Sequence, residues 1–174
     1  ETAFMNGLPA AMPLTILNGS GSEFEATFSS DLKNISDWTI GTDVAIVTNA
    51  NKYITTQTGG TLLTVNGRLS SGKNITLSHT TTNITGGTVS AATNVTNATG
   101  KAINLDGGRL SAENIFYLNG TVVMDDTSLI TANSIAGTGT INVNGKEITV
   151  SGDDTVSSFV NKLKDAGVSA SYDE

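Results

Sequence analysis

Few side chains in this sequence are of kinds that do chemistry, and they are spread thinly. Two pairs of adjacent carboxylates stand out, Asp125-Asp126 and Asp153-Asp154. Neighbouring carboxylates can supply oxygens to a hard cation, and Ca²⁺ takes six to eight of them. These four residues are the candidate Ca²⁺ ligands, with no other cofactor expected. Neither run has the spacing of an EF-hand loop or of a Gly-Gly-x-Gly-x-Asp nonapeptide. Asp106 and Arg109 add a carboxylate and a cation close by. Each of these Asp residues also falls where a corner is expected, and Asp is a turn former in its own right.

The other reactive types do not assemble. His79 is the only histidine and sits in the polar run "LSHTTTN". It reads as a surface residue of a corner, with no partner to build a Ser-His-Asp arrangement. Arg68 and Arg109 recur at equivalent repeat positions with Thr88 between them, and Tyr53 and Tyr117 suggest a saccharide-binding face. Seven Asn-x-Ser/Thr triplets occur, which a chain this rich in Asn and Thr produces by composition. The run "TTTNIT" hints at an ice-binding array, but Thr does not recur at one fixed position of every repeat. No catalytic residue is assigned, and the expectation is a protein that is not an enzyme.

Composition narrows the partners. The 174 residues carry a net charge of −7, which argues against nucleic acid and against a basic membrane patch. No apolar run approaches the twenty residues of a spanning helix, so no membrane insertion is expected. Cysteine is absent, which excludes a disulfide scaffold and thiolate metal sites. Charge is low while Val, Ile and Thr are frequent, so the chain reads as folded β structure rather than disorder.

The elements that position these residues come from an internal repeat. "GRLSSGKNITL" from Gly67, "GTVSAATNVTN" from Gly87, "GRLSAENIFYL" from Gly108 and "TSLITANSIAG" from Thr127 align. Leu69, Val89, Leu110 and Leu129 are spaced 20, 21 and 19 residues apart, and Asn74, Asn94, Asn114 and Asn133 are spaced 20, 20 and 19. A second apolar ladder lies half a period away, through Leu63 and Val65, Ile84, Ile103 and Leu105, Val122 and Met124, and Ile141 and Val143. "TGG", "DGG" and "DDTS" separate the two ladders. One such unit cannot bury its own apolar face, but stacked units make a continuous core. The fold class expected is mainly β, a short parallel β-solenoid of about 20 residues per rung. A β-sandwich is the alternative, because Thr-rich strands with regular turns also describe it. The four Asn residues are expected to form a structural ladder at one corner, amide to amide, in left-handed backbone. The Gly that opens each repeat is expected to supply positive φ at another corner.

The division expected is 1–40 as an N-terminal cap or irregular β segment, 41–140 as rungs, and 141–174 as a ββα(β) unit. Phe24, Phe28, Leu32, Ile35 and Trp38 are the cap candidates, since a solenoid end exposes unpaired edges. Asp43 to Gln57 reads as an imperfect first rung. In the last unit, Ile141 and Val143 alternate with Ile148 and Val150 around an Asn144-Gly145 type I′ turn. A helix over Thr155 to Ala166 follows, with Asp154 or Thr155 as cap and Gly167 as stop. "VSASYDE" reads as the start of a further strand, and the chain as a piece of a longer protein.

"INVNGKEITVSGDDTVSSFVNKLKDAGVSASYDE" resembles the flagellin IN motif, a ββαβ module of flagellins, flagellar cap proteins and other large bacterial surface proteins. The matching positions are Asn144, Gly145, Ile148, Val150, Asp154, Thr155, Val160, Lys162, Ala166, Gly167, Val168, Ala170 and Ser171. "NKLKDAG" departs from it, with Leu and Lys where Ile and Asn are usual. The rungs are similar in texture to filamentous adhesin and autotransporter repeats. These resemblances imply a non-enzymatic, structural or adhesive segment of an extracellular or cell-surface bacterial protein. Its expected partners are a host or surface glycan or protein, or neighbouring subunits of an appendage. The outer variable domain of a flagellar filament or cap protein is one alternative. A polysaccharide-binding or polysaccharide-cleaving β-helix is another, and a resemblance to pectate-lyase-like β-helices would imply Asp106, Asp125 and Asp126 for Ca²⁺ and Arg109 for proton abstraction.

Overall fold

The computed structural model describes residues 12–152 and 154–167. Within them the chain winds as a parallel β-solenoid of about six turns, followed by a hairpin and one short helix. The first turn is β1 (Leu14–Ile16), β2 (Phe24–Phe28) and β3 (Leu32–Ile35). The second is β4 (Trp38–Ile40), β5 (Val44–Thr48) and β6 (Ile54–Thr56). The third is β7 (Leu62–Val65), β8 (Arg68–Ser71) and β9 (Ile75–Leu77). The fourth is β10 (Thr81–Thr85), β11 (Thr88–Ala91) and β12 (Val95–Asn97). In the fifth and sixth turns the last two strands merge, giving β13 (Ala102–Asp106) with β14 (Arg109–Leu118), then β15 (Thr121–Met124) with β16 (Leu129–Gly137). Strands one turn apart pair in parallel throughout these turns. A sandwich of antiparallel sheets is thereby excluded.

Period-2 alternation explains the core. On each face, alternate residues point inward and stack on the same position one turn away. One column runs Ile40, Val65, Ile84, Leu105. A second runs Ile46, Leu69, Val89, Leu110. A third runs Leu32, Ile54, Ile75, Val95, Phe116. All of these side chains are buried. The outward columns are polar, as in Ser70-Ser90-Ser111 and Thr55-Thr76-Thr96.

The solenoid begins earlier than the sequence period suggests. Residues 14–40 form the first turn, with a register irregularity between Leu32 and Ile35, and the start of the second, and their strands pair in parallel with the next turn as rungs do. Phe28, Leu32, Ile35 and Trp38 lie in the solenoid core, while Phe24 is exposed. The stretch from Asp43 to Gln57 belongs to the second turn, not the first. The period is harder to see here because the corners over residues 17–23, 49–53 and 57–61 are longer than those of the middle turns.

The glycine corners also work differently from expectation. Gly86 and Gly107 carry the positive φ, at 63° and 61°, whereas Gly87 and Gly108 open the repeats without it. A Cβ on Gly87 would lie 2.4 Å from the Val65 carbonyl oxygen, and one on Gly108 would lie 2.2 Å from that of Ile84. In "TGG" and "DGG" the first glycine is needed for the turn and the second for the approach of the neighbouring rung.

At the C-terminal end, β17 (Thr140–Val143) stacks in parallel on β15 and pairs antiparallel with β18 (Lys146–Thr149). One strand is therefore both a seventh rung strand and the first arm of the hairpin. Asn144 and Gly145 have φ of 50° and 83°, as a type I′ turn requires. Helix α1 (Val156–Asp165) follows, with the Thr155 hydroxyl oxygen accepting from the Ser158 N–H at 3.1 Å. Phe159, Leu163 and Ala166 pack against the core, and Gly167 ends the helix at φ 77°. The expected strand over "VSASYDE" falls outside the described residues.

Candidate functional site

The candidate carboxylates are occupied as local braces. Asp125 follows β15 at the corner. Its Oδ2 accepts from the Thr127 hydroxyl at 2.8 Å, and its Oδ1 accepts from the Ser128 hydroxyl and from the Gly107 N–H at 3.3 Å. The hydroxyl of Ser128, helped by that of Thr127, holds the Asp125 carboxyl down to about 2. Asp126 is exposed beside it. Asp154 accepts from the Ser151 N–H at 2.8 Å and the Ser158 hydroxyl at 3.0 Å, and it pairs with the Lys162 ammonium. The Lys162 bond is the main cause of its lowered pKa. Asp153 lies outside the described residues. No group of three or more His, Asp or Glu side chains suited to a metal ion forms among the described residues.

The asparagine corner forms by other bonds than amide to amide. Asn74 Oδ1 accepts from the Asn94 N–H at 3.2 Å, and Asn94 Oδ1 accepts from the Ile115 N–H at 3.1 Å. Each side chain thus caps the backbone of the next turn. The third member is Ile115 because Val95 pairs with Phe116. Asn114 instead donates its N–H to the Thr93 carbonyl, one place out of the column. Between β14 and β16 the register shifts, so Glu113 and Asn114 stand opposite Asn133 alone. Asn114 and Asn133 are exposed. Among the described residues, the left-handed non-glycine ones are Asn34, Asn51 and Asn144, not these four. Ahead of that shift, Ile130 stands opposite Leu110, where the sequence repeat puts Leu129, and Leu129 is 44% exposed.

His79 is not a surface residue. Its side chain is 0% exposed, and its Nε2 lies 3.2 Å from Asp37 Oδ1. Burial lowers its pKa, outweighing the pull of Asp37. The sequence hid this pairing because 42 residues, two full turns, separate the two. Arg68, Thr88 and Arg109 do share one outward column. Arg68 is held by Glu23 at 2.7 Å and Glu25 at 2.8 Å, while Arg109 is exposed. Tyr117 stands in the Thr96 column, and Tyr53 lies under the Lys73 ammonium, 4.9 Å from the ring centre. Among the glycosylation triplets, Asn97 is fully buried and donates to the Lys101 and Thr121 carbonyls, so it cannot carry a glycan.

A cavity of about 580 Å³ lies between the last turn and α1. Leu129, Ile130, Ile135, Ile141, Phe159 and Leu163 line it, with Asp126 and Lys146 at its polar side. Among the described helices, none is long and apolar enough to cross a membrane. The chain matches no family model, no curated protein and no solved structure.

Proposed function

We propose that this chain is a non-enzymatic structural or adhesive segment of a larger extracellular bacterial protein, a stalk that presents its outer surface to a ligand. One observation carries the reading: the outward columns of Ser, Thr and Asn repeat in register from turn to turn. Ser90 donates to Ser70 at 2.9 Å and Asn104 to Asn83 at 2.9 Å. Such columns offer donors and acceptors about every 4.8 Å along the rod. An extended glycan or protein surface could be held by many weak bonds there without a reactive site. Binding of the purified chain to glycan and host matrix-protein panels tests this. Retention that falls when Ser90, Thr96 and Arg109 are changed together supports it. Turnover of an acidic polysaccharide that is lost on changing Arg109 or Asp126 refutes it.

The flagellar reading has its own support. The hairpin with its Asn144-Gly145 turn and the helix capped by Thr155 are compatible with the ββα part of the IN pattern. Co-assembly with filament or cap subunits would favour that placement over a stalk.

A further inference from the structure

His79 joins three corners of the solenoid. It lies between β9 and β10, at the passage from the third turn to the fourth. Asp37 lies between β3 and β4, and its Oδ1 also accepts from the Thr61 N–H at 2.7 Å and the Leu62 N–H at 3.2 Å, at the start of the third turn. One carboxylate oxygen therefore meets groups from two later corners. The ring is seated against Gly60, where a Cβ would lie 2.5 Å from both Cδ2 and Nε2. Neither ring nitrogen completes a well-aligned hydrogen bond among the described residues.

This seat suits a neutral imidazole and not a cation. A neutral ring has one N–H to direct at Asp37, whereas the imidazolium has two and loses its hydration on burial. The groups acting on the ring are the Asp37 carboxylate and the Ser36 carbonyl, which favour the added proton, and the Lys101 ammonium, which opposes it. Burial is the largest influence, and the net direction is downward. We propose that His79 is an acid-sensitive latch for the N-terminal end of the solenoid: when its ring takes a second proton it leaves the corner, and the first two turns loosen from the rest. The sign follows from the depressed pKa. The latch is fully formed above the unfolded value of about 6.5 and weakens as pH falls below it toward the folded value.

The single imidazole gives one NMR signal to follow in the full chain. It is expected to titrate below about 6.5. Amide exchange, corrected for its intrinsic pH dependence, is expected to show protection in β4 and β7 falling by up to about tenfold per pH unit in that range. Protection in β13 and β15 should hold. The variant His79→Gln should remove this pH dependence, and Asp37→Asn should enlarge it by removing the attraction that partly favours the proton. An imidazole that titrates at or above 6.5, an even loss of protection over all turns, or an unchanged acid response in His79→Gln overturns the latch. The imidazole titration decides the matter even where a variant does not fold.

Discussion

At the scale of single residues, the tightest constraints are where backbone meets backbone. Gly86 and Gly87 are adjacent but needed for different reasons, and substitution separates them. Gly86→Ala forces a left-handed alanine and should cost about 1–2 kcal/mol. Gly86→Asn should recover most of that, since Asn tolerates this conformation. Gly87→Ala drives a methyl into the Val65 carbonyl and should cost about 1–3 kcal/mol, with no recovery on changing to Asn. Denaturant midpoints of the four variants check the contrast. Asp125 makes a second test. Its folded pKa of about 2 is depressed from 3.8, so its contribution is present above 3.8 and is lost as pH falls toward 2. Asp125→Ala should be less stable than the parent at neutral pH and should converge with it at pH 2. Equal differences at both pH values would mean that the carboxylate's charge is not what braces the corner.

At the scale of elements, the register of β14 on β11 and β12, the same on both, decides which side chain fills the core. Phe116 is fully buried and in column with Val95, while Ile115 is half-buried. Phe116→Ala should cost about 3–5 kcal/mol, and Ile115→Ala far less; thermal or denaturant unfolding of both measures the gap. Reading the repeat by its Asn residues alone reverses this order, because it pairs Asn114 with Asn94. The terminal unit depends on local chemistry instead. Thr155→Ala removes the hydroxyl that accepts from Ser158 and should cost α1 about 1 kcal/mol. Amide exchange should show the loss in the helix and not in the rungs. The hairpin and helix were legible in the sequence because turn type, cap and amphipathic face are set by near neighbours.

At the scale of the whole molecule, stability is close to a sum over stacked turns and their contacts. A cavity at the centre should then weaken both directions of the rod, and one at the end should weaken only that end. Ile84 lies between Val65 and Leu105, and Ile148 lies in the terminal hairpin. Ile84→Ala should cost about 2–5 kcal/mol and lower amide protection in the turns on either side. Ile148→Ala should lower it only near β15 and β17. Equal spread of protection loss in the two variants would show a single cooperative unit instead.

The sequence favoured the solenoid over a sandwich, which only parallel pairing excluded, and showed the period, the middle columns such as Leu69-Val89-Leu110, and the hairpin that shares a strand with the last rung. These follow from apolar alternation and turn residues, which act over a few positions. Tertiary structure alone decided the first turn, where the long corner over residues 17–23 breaks the period, and the registers that put Ile115 in place of Asn114 and Ile130 in place of Leu129. It also decided the fate of the candidate site residues. Asp125 and Asp154 are engaged by neighbouring hydroxyls, amides and a lysine, and His79 is buried against a carboxylate two turns away. The physical reason is register: it sets which side chain meets the next turn, a one-residue bulge between β14 and β16 changes it only within the last turn, and contacts between turns join residues about twenty or forty positions apart.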